Sequence, residues 1–161
     1  MIKLTAELYP FILVSYQGKS CTDDEIRAMF DRMNELSRRA ITDKTHYVII
    51  SLGGTSLNAA NRKLIAELVN ECPKEYFDRT IGSFVIVPSA VLRGMMTALR
   101  WVAPALATVE SVSSLEEAVE AGVACLEKHR IAIDRGIVTE ARLWLRHEHQ
   151  RSKLDAPDSA R

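Results

Sequence analysis

The chain has 161 residues, 47% of them hydrophobic and 26% charged, and its 21 basic and 21 acidic side chains cancel to a formal net charge of zero. A chain of this length and apolar content can bury one core, so we expect a single domain. Because a neutral chain lacks the broad positive field that non-specific binding to phosphates needs, nucleic acid is not an expected partner.

The sequence predicts a cytoplasmic protein without a transmembrane segment. Its first ten residues, MIKLTAELYP, have neither the apolar core nor the small-residue cleavage site of a signal peptide. The longest weakly polar run, residues 98–109, is interrupted by Arg100 and Pro104 and is too short to span a bilayer.

The first third of the chain has the pattern of a hairpin followed by a helix. Residues 2–8 alternate between apolar and polar side chains, and residues 11–16 form a second strand-like run, with Pro10 in the turn between them. Thr22 and Glu25 have the spacing of a capping box, which predicts the start of a helix. The apolar positions on one face of that helix are Ile26, Met29, Phe30, Met33, Leu36 and Ala40.

We expect residues 47–72, YVIISLGGTSLNAANRKLIAELVNEC, to form the centre of the fold. The run from Tyr47 to Ile50 is typical of a strand covered on both faces, and Gly53 and Gly54 end it. Three residues of types that begin helices follow: Thr55, Ser56 and Asn58. A strand that leads through such a loop into a helix is where α/β proteins usually place their working site.

The second half continues the alternation of strands and helices. Strands are predicted at residues 81–87 and 108–112, and helices at residues 89–102 and about 138–150. A further helix opens with a capping box of Ser113 with Glu116 or Ser114 with Glu117, and its predicted inner face is Leu115, Ala118, Val119, Gly122 and Leu126. These assignments predict an α/β fold of order ββαβαβαβα, a mixed β-sheet with helices packed on it, plus an extra C-terminal helix. The predicted units are a domain at 1–128, a C-terminal helical extension at 129–152 and a disordered polar tail at 153–161.

This order resembles the sulfate-transporter and anti-sigma-factor-antagonist (STAS) domains and the related SpoIIAA-like and SEC14-like group. In those families a strand of the type VIIDLSGV precedes a loop and helix of the type IDSSGL, and VIISLGGTSLNAANRKL occupies the same frame here. The segment ESVSSLEEAVEAGVACL is similar to the strand and helix that end many bacterial members. The resemblance covers about residues 2–127. It implies a STAS-like domain that binds a partner protein without catalysis, and some members respond to phosphorylation or hold a nucleotide or lipid.

The chain departs from that pattern where antagonist-type members accept phosphate. Asn58 takes the position of the motif's aspartate and Ala59 that of the phosphorylated serine, so the usual phosphorylation switch is absent. Ser56 and Thr55 lie nearby and could be modified instead, because phosphate is favourable at a helix N-terminus. The alternative is that both residues simply cap the helix.

The same loop could bind an anion. Backbone groups of the loop would hold it, and Arg62 would reach it from the first turns of the helix. The loop lacks the GxxxxGK[ST] motif, and two glycines after a strand normally just permit a tight turn. The candidate switch loop or anion site consists of Gly53, Gly54, Thr55, Ser56, Asn58 and Arg62.

The predicted helix at residues 89–102 carries a candidate face for binding a partner. Its apolar core side leaves a tryptophan and two arginines on the opposite arc, and exposed Trp and Arg are typical of binding hot spots. The candidate partner-binding residues are Arg93, Thr97, Arg100 and Trp101. Two alternatives stay open: the C-terminal helix, with Trp144 and Leu145, covers Trp101, or this face or the last helix packs on a second copy in a homodimer.

No metal site, cofactor or catalytic set is expected. His147 and His149 flank Glu148 in RHEHQR, but i, i+2 spacing turns their rings to different sides, so we expect a solvated helix end. The three cysteines are odd in number and lack CxxC spacing, which favours buried reduced thiols. They are Cys21, Cys72 and Cys125.

The sequence therefore predicts a non-catalytic bacterial regulatory or scaffold module of the signalling type, which binds another protein or itself through a helical face. The first alternative is a module that holds a nucleotide or lipid, for which the helix with Met95 and Met96 would suit a lipid. The second alternative is an uncharacterised enzyme.

Overall fold

The computed structural model of the chain describes residues 1–17, 21–53, 58–87 and 109–154, with side chains up to residue 152. The described strands are β1 (Ile2–Thr5), β2 (Phe11–Tyr16), β3 (Tyr47–Leu52), β4 (Thr80–Ile86) and β5 (Val109–Val112). They form one mixed sheet in chain order, in which β1 runs antiparallel to β2 and all other neighbours are parallel. β3 lies in the middle, as the sequence predicts.

The described helices are α1 (Asp23–Thr42), α2 (Ala59–Glu71), α3 (Lys74–Phe77), α4 (Leu115–Lys128) and α5 (Arg135–Leu154). They pack on the sheet, so the predicted α/β class and mixed sheet are confirmed. Some details differ from the prediction. β1 ends at Thr5, short of the alternating run of residues 2–8. α3 forms one helical turn after Pro73 and is not among the predicted helices, and α5 is longer at both ends than residues 138–150. The predicted helix at 89–102 lies outside the described residues.

Both faces of the sheet are covered, which explains the continuous apolar runs of the parallel strands. Alternate residues of a strand point to opposite faces. Thus Ile12 packs with Ala40 of α1, whereas its neighbours Phe11 and Leu13 belong to a cluster on the other face. That second cluster contains Leu126 of α4 and residues 141 and 145 of α5. The predicted C-terminal extension therefore includes a helix that packs into the main core.

The close approach of α4 to the sheet depends on a glycine. A Cβ at Gly122 would lie 2.9 Å from Cε1 of Phe11 and 3.3 Å from Cγ1 of Val48. Such contacts are too short for carbon atoms, so a side chain here would push the helix away. The predicted inner face of this helix is confirmed for Ala118, Val119 and Leu126, which are fully buried.

Helix boundaries follow local signals in the sequence. The predicted capping box of Thr22 and Glu25 opens α1, and Ser114 caps α4 by accepting a hydrogen bond from the N–H of Glu117. At the other ends, Lys44 and Arg130 follow α1 and α4 with φ of 55° and 58°. Their N–H groups bond to Ile41 and Glu127 carbonyls, and the next N–H groups reach Ala40 and Leu126, which is the Schellman pattern.

Within the described ranges, none of the helices is both long and apolar enough to cross a bilayer.

Candidate functional site

The predicted switch loop begins where β3 ends, at the carboxyl edge of the parallel strands. Gly53 has a φ of +105°, and a Cβ there would lie 3.2 Å from the carbonyl oxygen of Tyr16 in β2. Only glycine adopts this conformation readily, so the sharp exit from the strand requires it. The next three predicted site residues, Gly54, Thr55 and Ser56, lie outside the described residues.

At the far end of this loop, Asn58 caps α2. Its side-chain oxygen accepts a hydrogen bond from the N–H of Asn61 at 2.9 Å, and the side-chain oxygen of Asn61 accepts one from the N–H of Asn58 at 3.3 Å. Asn61 is buried and also donates to the carbonyl of Cys21, at 3.2 Å, just before α1. Asn58 therefore has a structural role, and Asn61 joins the starts of two helices. The N-cap to N3 spacing of these asparagines is the sequence signal for that pairing.

Arg62 lies one residue beyond this capping pair. Its backbone N–H bonds to the carbonyl of Asn58 at 3.1 Å, which places it in the first turn of α2, and its side chain is half-buried. Ala59, which occupies the position of the phosphorylated serine in the family resemblance, is exposed at the first helical position. The anion site that would combine Arg62 with the loop stays a prediction.

The predicted partner-binding residues Arg93, Thr97, Arg100 and Trp101 all lie outside the described residues. On α5, Trp144 is half-buried and packs against the main cluster, and Leu145 is fully buried. The choice between an exposed and a covered Trp101 therefore stays open.

A buried polar cluster that is not among the predicted sites joins β1, β2 and α5. Glu148 is only 3% exposed, and its carboxylate accepts hydrogen bonds from Lys3 Nζ at 3.1 Å and from Gln17 Nε2. The expectation of a solvated helix end at RHEHQR is therefore wrong for Glu148, although His147 is largely exposed. The spacing in the sequence does indicate this burial. Glu148 lies seven residues after Ala141 and three after Leu145, so it falls on the buried side of α5.

Ser15 extends this buried cluster along β2. Its side chain is 1% exposed, it lies directly opposite Lys3 in the β1–β2 register, and its Oγ has no hydrogen-bond partner within the described part of the chain. The cluster thus holds a carboxylate with two donors, which fixes α5 against the edge of the sheet. Among the described residues, no three His, Cys, Asp or Glu side chains come together as a metal site would require.

A groove of about 490 Å³ lies between β1 and α1, on the opposite face of the sheet from α5. Its floor is apolar and includes Leu4, Ile12 and Leu36, while charged residues of both signs stand at its rim. The full lining is Leu4, Thr5, Ala6, Glu7, Tyr9, Ile12, Arg32, Leu36, Arg39, Ala40, Asp43, Thr45 and Tyr47. No sequence signal singles out this groove, because it forms between elements that only the fold brings together.

The strongest hydrogen-bonding side chains of the groove already have partners. The hydroxyl of Tyr9 donates to the carbonyl of His46 at 2.8 Å, and the hydroxyl of Tyr47 lies 2.7 Å from Ser37 Oγ. Burial raises the pKa of Tyr9, so this phenol stays protonated as a donor. The two rim arginines of α1 pair with nearby carboxylates, Arg32 with Glu35 in the same helix and Arg39 with Asp43 just beyond its end.

Unlike these groove side chains, the backbone groups on the outer side of β1 have no strand partner among the described residues. Met1 and Gln17 exchange two backbone hydrogen bonds, of 2.9 and 2.8 Å. Since bonded pairs alternate along an antiparallel ladder, Lys3 and Thr5 turn their N–H and C=O groups towards β2, and Ile2 and Leu4 turn theirs away. In the described part of the chain, no strand pairs with that outer side. The groove therefore lies beside an open sheet edge.

The thiols are reduced in this structure and poorly suited to act as nucleophiles. Cys21 is buried, and burial raises the pKa of Cys72 and of Cys125, which keeps both thiols protonated. Cys125 donates to the carbonyl of Ile81 at 2.8 Å, so this thiol ties α4 to β4.

Comparison of the chain with protein-family models, with curated proteins and with solved structures finds no match.

Proposed function

We propose that this chain is a non-catalytic regulatory or scaffold module that acts by binding a protein, either another chain or a second copy of itself, through the face formed by β1 and α1. The observation that carries the proposal is that no strand among the described residues pairs with the outward backbone groups of Ile2 and Leu4, which lie beside an apolar groove. An unpaired edge strand next to a groove is the arrangement in which an extended segment adds to a sheet and places alternate side chains in pockets.

The distribution of hydrogen-bonding groups favours a polypeptide over a charged small molecule. The tyrosine hydroxyls and the arginines at the groove already have partners, whereas backbone N–H and C=O groups at the edge of β1 have none among the described residues. A ligand that satisfies alternating backbone donors and acceptors is itself an extended backbone. The STAS resemblance, which implies partner binding, agrees with this proposal.

A small-ligand module is the second candidate. The groove volume of about 490 Å³ falls within the range of ligand pockets. An apolar ligand would contact the floor, and the rim arginines would have to exchange their partners for an anionic group. The predicted surface at residues 93–101 stays a further candidate for protein binding.

The test compares the mass of the freshly purified native protein with its denatured mass. Binding of a second copy predicts an assembly of two or more chains, and binding of a different protein predicts a monomer at the mass of the bare chain. The ligand candidate predicts a monomer that carries a small reproducible extra mass. Ala6→Glu places a charged side chain in the groove and should abolish the assembly. Ala132→Glu, at an exposed position outside the groove lining, is the matched control and should leave the assembly intact.

Two results would contradict the proposal. One is an assembly that forms equally well with Ala6→Glu, which would place the interface on another face. The other is a monomer with bound small molecule that Ala6→Glu displaces, which would assign the groove to the ligand.

A further inference from the structure

We infer that the partner at this face is a second copy of the chain: β1 pairs antiparallel with β1 of a copy related by a twofold axis, so that two sheets become one continuous sheet. This inference rests on the proposed function and specifies its partner. Twofold dimers are the commonest assemblies of soluble proteins, and their interface must be complementary to itself.

The backbone restricts the possible registers. Ile2 and Leu4 turn their N–H and C=O groups outward, so bonded pairs across a new antiparallel ladder must join even-numbered residues to even-numbered residues. Two registers centred on this strand satisfy the condition. In one, Leu4 faces Ile2 of the partner copy; in the other, Leu4 faces Leu4 of the partner copy.

Charge decides between these two registers. In the first, Lys3 of one copy lies directly opposite Lys3 of the other, and like charges in that position are destabilising. In the second, Lys3 lies opposite Thr5, and on the groove face Ile2 lies opposite Ala6. The second register therefore has apolar pairs on one face and no opposed like charges on the other, so we assign the dimer to it.

The groove rim is also compatible with an identical partner. It carries two arginines and two carboxylates, Arg32 and Arg39 with Glu7 and Asp43, so it has no excess of one sign that would select an acidic or basic partner. A face that meets a copy of itself must not carry an excess of one sign, because such a face would repel its copy. The balanced rim charges therefore fit self-association and would not select a strongly charged peptide.

The exposed apolar side chains near β1 agree with the same arrangement. Three large hydrophobic residues are exposed in the described part of the chain, and two of them, Met1 at 57% and Tyr9 at 38%, lie at opposite ends of the β1 segment. In the assigned register, Met1 of one copy lies opposite Glu7 of the other, two positions before Tyr9. The pairing therefore brings an exposed apolar side chain of each copy to each end of the shared ladder.

The experiment uses two substitutions at one position. In the symmetric dimer, Thr5 of each copy lies opposite Lys3 of the other copy, so this pair occurs twice. Thr5→Lys therefore opposes like charges and should weaken the dimer, and Thr5→Glu opposes unlike charges and should strengthen it, each by roughly two- to thirty-fold in dissociation constant for two cross-strand pairs. Both variants lose the same weak hydrogen bond from Glu7 N–H to Thr5 Oγ1, so they are matched.

Analytical ultracentrifugation of the full chain over a range of concentrations gives the dissociation constants, and circular dichroism confirms that both variants are folded. Opposite shifts for Thr5→Lys and Thr5→Glu, with both reduced in high salt, are the expected result. A dimer that neither substitution changes overturns the edge pairing while leaving the proposed protein-binding function in place. A wild-type monomer that binds a different protein, with loss of binding in Ala6→Glu, overturns self-pairing alone.

Discussion

Nζ of Lys3 lies 3.1 Å from Oε1 of Glu148, which joins the first strand of the chain to its last helix across 145 positions of sequence. The carboxylate is almost fully buried and also accepts a hydrogen bond from Gln17. The contact fixes α5 over the β1–β2 hairpin. The contact also orients the side chain of Lys3 at the edge of the sheet. Lys3 is the residue whose charge decides the register of the proposed dimer.

Removal of the Glu148 carboxylate should destabilise the fold. Glu148→Ala leaves the Lys3 ammonium and the Gln17 amide without their acceptor, and we expect the free energy of unfolding to fall by about 1–3 kcal/mol. Urea denaturation followed by circular dichroism measures the change. Glu140→Ala removes an exposed carboxylate from the same helix and should cost less than about 0.5 kcal/mol. Equal effects of the two substitutions would refute the role assigned to Glu148.

Gly53 should not tolerate a side chain. Gly53→Ala would force an L-residue to a φ near +105° and place a Cβ 3.2 Å from the Tyr16 carbonyl oxygen, so we expect a loss of about 1–3 kcal/mol. Thermal unfolding measures this loss. A neutral result would mean that the chain can leave β3 with an ordinary backbone conformation and does not need the positive φ of Gly53.

Replacement of Lys44 by glycine should stabilise the end of α1. Lys44 has a φ of 55° in a Schellman motif, the position where glycine is preferred. Lys44→Gly should therefore raise the free energy of unfolding by about 0.5–1 kcal/mol. Lys44→Ala keeps the strained backbone and removes only the side chain, so it should give no gain. If both variants stabilise equally, the effect comes from the lysine side chain and not from the backbone.

Gly122 should be sensitive for a different reason, which is space. Gly122→Ala places a methyl group 2.9 Å from Phe11, so the helix must shift away from the sheet. Although alanine favours helix, overpacking should dominate and cost about 1–3 kcal/mol. Glu120→Ala, at an exposed position of the same helix, should be close to neutral. A stabilised Gly122→Ala variant would show that α4 has room to move.

The capping box of α1 should contribute to acid sensitivity. The hydrogen bond from the Thr22 backbone N–H holds the pKa of Glu25 below its ordinary value of 4.5, outweighing partial desolvation. A carboxyl group with a lowered folded-state pKa stabilises the fold above the unfolded pKa, and this contribution is lost as the pH falls through the lowered value. Glu25→Gln should therefore flatten the decrease in unfolding temperature below about pH 4.5. An acid profile identical to that of the wild-type chain would exclude this role for Glu25.

Local features of the chain determined the elements and their limits. Local patterns predicted the apolar runs of β2, β3 and β4, the capping box at Thr22, the cap at Ser114 and the inner face of α4, because each depends on residues only a few positions apart. The capping pair of Asn58 and Asn61 carries a similar local signal, although only Asn58 is among the predicted helix-start residues.

Contacts between distant segments decided the rest. The burial of Glu148 beside Lys3, and the groove between β1 and α1, arise where elements far apart in the sequence meet. Periodicity indicates that a residue faces inward, but the partner that it meets depends on strand order and helix packing. The open edge of β1 is likewise a property of the whole sheet, because a strand lies at an edge only through the order in which all the strands pair.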